Sequence, residues 1–255
     1  MGERSNLGRR TPALAGAASL AAFFAAAEIL IRTGAVNRHI VPLPSQVLAA
    51  FPRILAEEDV LGYFLKTVGE AAAAAALLAA LAIPFGVFLY RVRIVCQAVE
   101  SWVAAMAAAP LVLIYPLFLV IFGRNALTIV AIGFAAGLAP VILKTLEGLR
   151  ATRPVLINMG RSFKLSRAQL FWKILLPSAL PSIFTGLRLG LIFALINVVG
   201  VEYLINVGGL GQLINDLAER YDLPAMYATI CFVILVSVLF FIGLERLERW
   251  LRPMP

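Results

Sequence analysis

The chain has 255 residues, 62% of them hydrophobic and only 14% charged, with a mean hydropathy of +0.93. A soluble domain of this length could not hide that much apolar surface, so the solvent must be lipid. The net charge of +8 follows from Lys and Arg collecting in cytoplasmic loops during insertion; scattered basic residues without interleaved aromatics do not make a nucleic-acid surface.

Six stretches reach the roughly 20 mostly apolar residues that a membrane helix needs. They run from about Ala13 to Ile31, Phe64 to Tyr90, Ser101 to Phe122, Ala126 to Leu146, Pro181 to Leu204 and Ala225 to Leu244. Ala- and Leu-rich runs without alternation exclude a β-barrel, so the expected fold class is all-α integral membrane. Arg9 and Arg10 ahead of the first stretch also fit a signal peptide, even a twin-arginine one, but the apolar run is long for one and further spans follow. A retained helix is the favoured reading. The expected organisation is a tail over 1–12, a six-helix domain over 13–245 with a large loop at about 147–180, and a tail over 246–255.

An even number of spans puts both termini on one side. With the N-terminus inside, all but six of the 22 Lys and Arg fall in cytoplasmic segments; Arg32, Arg38, Arg53, Lys66, Arg124 and Arg220 remain outside. This asymmetry orients the chain with both termini cytoplasmic. Two external segments are long. "HIVPLPSQVLAAFPRILAEEDV" reads as a Pro-rich entry to a surface helix starting near Ser45, and "INVGGLGQLINDLAERYDLP" as a Gly-rich turn before an amphipathic piece.

Chemistry-bearing clusters are absent from the sequence pattern. Cys96 and Cys231 fall in a turn and a span, so a disulfide is not expected, and no Cys, His and carboxylate set has metal-ligand spacing. His39, in a loop, forms no Ser-His or Cys-His arrangement. None of the 19 glycines is followed by lysine, which excludes a P-loop.

The loop from about Glu147 to Leu180 is basic. Leu165, Ala168, Phe171 or Trp172, and Leu175 recur at helical spacing while Arg161, Lys164 and Arg167 lie elsewhere on the turn, the pattern of an amphipathic helix. By periodicity alone, such a helix could equally lie on anionic lipid.

The stretch Asn158 to Pro177 resembles the cytoplasmic loop of binding-protein-dependent ABC importer permeases. Their pattern is Glu-Ala-Ala, three residues, Gly, nine residues, then Ile-x-Leu-Pro. Ile174, Leu176 and Pro177 match its end, and Pro181, Gly186 and Arg188 continue the likeness. Asn158, Met159 and Gly160 stand in place of Glu-Ala-Ala, and Lys164 in place of Gly, which removes a flexible break and adds a charge. From about Val41 to Arg252 the chain is similar to the nitrate, sulfonate and taurine branch, through "VPLPSQVLAAF", "PLVLIYPLFLVIFG" and "GGLGQLINDLAERYD"; Glu70 departs from the Arg of that pattern.

The resemblance implies a type I ABC importer permease, a transport subunit rather than an enzyme, in a bacterial inner membrane. It implies a dimer of permeases (a second copy of this chain, or a different permease), two ATP-binding subunits carrying ATP and Mg, and an external solute-binding protein. No cofactor is expected on this chain. It also implies that Asn158, Met159, Gly160, Arg161, Lys164, Leu165, Arg167, Phe171, Ile174, Leu176 and Pro177 couple the chain to the ATPase. Pro177 and Pro181 are expected to interrupt helical hydrogen bonding and set the angle at which the loop helix meets the fifth span.

Ionisable groups at membrane depth are functional candidates. Glu28 reads as structural, near a helix end. Glu70 follows Lys66 by one turn and is expected to pair with it. Glu202, after Asn197 and Gly200, is either a path or gate residue together with Asn197, or a satisfied structural carboxylate. The resemblance implies a small organic or inorganic anion such as nitrate, a sulfonate or taurine as cargo. The alternative is a self-sufficient secondary transporter or channel, which would show paired half-helices and inverted repeats; neither is evident.

Overall fold

The computed structural model of the chain describes residues 4–38 and 40–251; His39 lies outside them. Among the described residues every regular element is helical. Two units are distinguished, one of Met1–Val60 with Leu213–Phe232 and one of Leu61–Gln212 with Val233–Pro255.

The first unit opens with α1 (Arg4–Arg32), which is helical well before the expected span begins. A short turn leads to α2 (Pro44–Glu57), one residue from the expected start, with Pro44 in the first turn where its missing N–H costs nothing. Glu28 supplies the acid at this helix start: its carboxylate accepts from Ser45 Oγ at 2.8 Å and from Ser45 N at 3.2 Å, and also from Arg32 at 2.7 Å. The structural role expected for Glu28 is therefore what the geometry supports. Arg53 pairs with Asp222 at 2.5 Å and Arg220 with Glu58 at 2.9 Å. The Asp222 carboxylate holds the Arg53 guanidinium above its ordinary pKa.

In the second unit, α3 (Val60–Leu77) passes through a π turn (Leu78–Ala82) into α4 (Ile83–Arg91), a single apolar helix of 32 residues. The expected third span is broken. α5 (Arg93–Ala108) and, after a 3-10 turn (Leu111–Ile114), α6 (Tyr115–Phe122) meet at 93°. Pro110, with no N–H to give, sits at the break, and Pro116 opens α6. Gly123 follows at φ +80°, a backbone that L side chains rarely adopt. α7 (Ala126–Arg150) is capped by Asn125, whose side chain accepts from Thr128 N at 3.2 Å.

α8 (Pro154–Ser162) lies in the basic loop. Beyond it, α9 (Arg167–Leu170), a π turn (Phe171–Leu175) and α10 (Leu176–Ile205) form one apolar helix of 39 residues. Pro177 and Pro181 give no helical N–H, yet the helix does not end at either. Leu176 N–H bonds back to the Phe171 carbonyl across a π turn that ends just before Pro177, and α10 runs on through Pro181. α11 (Leu210–Glu219) and α12 (Leu223–Leu251) complete the chain.

α7 and α10 carry the core. A Cβ on Gly137 would stand 2.6 Å from the Gly190 carbonyl, and one on Gly190 would stand 2.9 Å from the Gly137 carbonyl, so the two backbones touch. Lipid gives apolar side chains no reason to associate, and close backbone packing at small residues is what holds such helices together. Around this seam Ala74, Leu78, Leu89, Val141, Ile142, Leu146 and Ala194 form a buried cluster. Four helices among the described residues are long and apolar enough to cross a membrane, five with the bent pair taken as one span. α1, over the remaining expected span, is not among them.

Candidate functional site

Two places in the second unit hold the residues singled out by the sequence. The first is the basic loop. The inner side of α8 is fixed by Ile157, packed with Phe171, Leu175 and Leu149, and by buried Gly160, where a Cβ would meet Leu170 and Ile174 at 2.6 Å. Its outer side repeats every four residues: Val155, Met159 and Phe163 are 74%, 51% and 74% exposed. Exposed Asn158, Arg161, Lys164 and Arg167 lie with them. Gly160 and Phe171 instead face inward, while Leu165, Ile174 and Leu176 are half-buried and Pro177 is exposed. The single amphipathic helix expected through this loop is in fact two, divided at Lys164.

Lys164 explains the division. It adopts φ +54°, the left-handed conformation that most often falls to glycine. Its N–H bonds to Arg161 O at 2.9 Å, and Leu165 N–H reaches Gly160 O at 3.1 Å, the paired bonds of a Schellman ending. Ser166 then caps α9, accepting from Gln169 N at 3.3 Å while the Gln169 side chain takes Ser166 N–H at 2.9 Å. The break that glycine would supply is present without it.

Phe171 joins this loop to the second span. The Arg91 guanidinium at the end of α4 stands 4.7 Å over its ring, and Ile83, Val87 and Tyr90 pack on the same cluster. Arg150 of α7 holds Glu100 of α5 through bonds of 2.7 and 2.9 Å and contacts Cys96 Sγ at 3.1 Å.

The second place is a clasp around the Gly-rich turn after α10. Fully buried Glu202 accepts from Thr67 Oγ1 at 3.0 Å and from Gly211 N at 2.9 Å. Thr67 Oγ1 also accepts from Leu210 N at 2.8 Å. Lys66 donates to the Val207 carbonyl, and Arg124 to the carbonyls of Ile205 and Asn206. Gly209, at φ +87°, leaves no room for a Cβ, which would overlap the Glu202 carboxylate. Lys66 thus does not bond Glu70 as expected; it reaches the turn, and Glu70 is left buried beside Glu202. Asn197 does not join this cluster: its amide donates to Phe193 O of its own helix at 2.9 Å. Thr67 was not legible as a partner of Glu202, nor Lys66 and Arg124 as partners of the turn, since these side chains act across more than 80 residues of sequence.

Several helices long and apolar enough to cross a membrane define a polytopic membrane protein. The chain belongs to the binding-protein-dependent transport system inner membrane component family, whose model matches residues 43–253. It is similar to the taurine transport system permease protein of Escherichia coli (strain K12), 33% identical over 138 residues, which are 54% of this chain and 50% of that protein. It is also similar to a probable ABC transporter permease protein of Brucella melitensis, 28% identical over 202 residues, covering 79% of this chain and 81% of that one. Among solved structures, a methionine ABC transporter chain superposes with a TM-score of 0.66 at 18% identity, covering 74% of this chain and 94% of that chain. The fold is that of a type I ABC importer permease, and the chain is a transmembrane permease of this class. This sets aside the self-sufficient transporter or channel.

Proposed function

We propose that this chain forms half of the translocation path of an ATP-driven importer, pairing with a second permease, normally a copy of itself. Both termini and the basic loop face the cytoplasm. ATP and Mg are handled by a separate pair of ATP-binding subunits, and a solute-binding protein delivers the cargo to the opposite face. The chain itself carries no cofactor. The family membership supports this partner set, and the taurine relative supports a small anion such as taurine, a sulfonate or nitrate as cargo.

The outer face of α8 carries the reading. Three large apolar side chains, Val155, Met159 and Phe163, stand exposed beside Arg161, Lys164 and Arg167 on a helix whose other face is already packed. Covering each of these side chains is worth roughly 1.5–3 kcal/mol, and a protein groove with acidic groups would satisfy both halves of the surface. The Schellman turn and the contact of Phe171 with Arg91 tie that face to the second and fifth spans. Movement of the ATPase would therefore reach both. In vesicles reconstituted with the ATPase, Met159→Asp is expected to abolish uptake while the assembled permease remains folded; uptake at the wild-type rate would remove α8 from the coupling path. Glu202 acts as a gate residue by holding the external turn closed, and Asn197 is left as a lining residue of α10.

A further inference from the structure

α3 and α10 bring two carboxyl groups together without a counter-ion for each. Glu70 is only 5% exposed, and among the described residues neither of its oxygens has a hydrogen-bond partner. Glu202 is fully buried, and its Oε1 is likewise without a partner while Oε2 receives Thr67 and Gly211. Glu70 follows Thr67 by three residues on α3, and the Thr67 hydroxyl bonds Glu202, which sets the two carboxyl groups on the same side of that helix. Lys66 acts on Glu70 through its charge, its Nζ being given to the Val207 carbonyl. Arg124 is engaged further along, at the carbonyls of Ile205 and Asn206. The groups that α7 packs nearest to this part of α10 are apolar, Ile129 and Ile132 among them.

Among the described residues, two buried carboxylates and one ammonium leave one negative charge in excess, in a place where a bare charge is strongly disfavoured. Like charges in contact do not both stay ionised. We propose that Glu70 and Glu202 bind one proton between them, and that this proton keeps the Val207–Gly211 turn fastened to the spans. With it, one carboxyl donates to the other, Lys66 balances the remaining charge, and Glu202 stays in position to accept from Gly211. Without it, repulsion from Glu70 drives Glu202 out of the clasp, and the buried N–H of Gly211 loses its acceptor.

The test is the unfolding equilibrium of the purified chain in detergent as a function of pH, for wild type, Glu70→Gln and Glu202→Gln. An unfolded glutamate titrates near pH 4.3, so above about pH 5 the folded state holds one proton more than the unfolded state. Stability then falls as pH rises, by about tenfold in the folding constant per pH unit. Relative to Glu70→Gln, the wild type is expected to show that one-proton slope through neutral pH. In Glu70→Gln the remaining Glu202 balances Lys66 and needs no proton; in Glu202→Gln, Glu70 does the same, and the slope is again lost. Parallel profiles for wild type and Glu70→Gln overturn the proposal. So does a wild-type stability that follows sodium concentration in place of pH. Should the variants not fold, infrared spectroscopy of the wild type decides: a buried protonated-carboxyl band at neutral pH is expected, and its absence overturns the proposal.

Discussion

Lys164 shows what a single position can hide. Read as a sequence, a lysine in place of glycine removes a flexible break from the basic loop; in the structure the break persists, with Lys164 at φ +54° and both Schellman bonds in place. A left-handed non-glycine residue costs roughly 1–2 kcal/mol. Lys164→Gly is therefore expected to raise stability by about 1 kcal/mol, and Lys164→Val to lower it, as read from denaturant midpoints in detergent. Glu202 was legible as unusual, because a carboxylate inside an apolar run stands out. Its role was not, because Thr67 lies 135 residues away and the donor on Gly211 is a backbone group with no signature. Thr67→Val removes the acceptor for Leu210 N and the donor to Glu202, all of them buried. A loss of about 1–3 kcal/mol is expected for each buried polar group left unpaired, with hydrogen exchange at Leu210 accelerating as the local readout.

At the scale of elements, apolar length alone located the second, fourth, fifth and sixth expected spans, since nothing but a helix satisfies its own backbone in lipid. What length cannot show is continuity. Pro177 and Pro181 look like breaks but sit in an unbroken helix, with a π turn at Phe171–Leu175 just before the first of them. Pro110 looks like one proline in an apolar run but marks a 93° bend. The α7–α10 seam was equally invisible, since glycines are common in spans and only a fold pairs Gly137 with Gly190. Gly137→Leu would force the two backbones apart and is expected to destabilise the chain by at least 1–3 kcal/mol, the ordinary range for overpacking. Loss of the folded peak in size-exclusion chromatography would show it. The same substitution at Gly69, with open space around it, is expected to leave that peak unchanged.

For the whole molecule, the order of the spans and the Ile-x-Leu-Pro end of the basic loop pointed to the permease class, and the family match over residues 43–253 agrees with it. Cargo identity was not legible, because the residues that stood out in the sequence position helices and the turn after α10. The central claim is that the exposed face of α8 belongs against a separate ATPase. The most direct measurement is to purify the chain from its native membrane in mild detergent and quantify its companions by mass spectrometry. The account predicts an ATP-binding protein in near-equal amount, lost from the Met159→Asp variant. Recovery of the permease alone, with solute uptake driven by an ion gradient in vesicles, would contradict it.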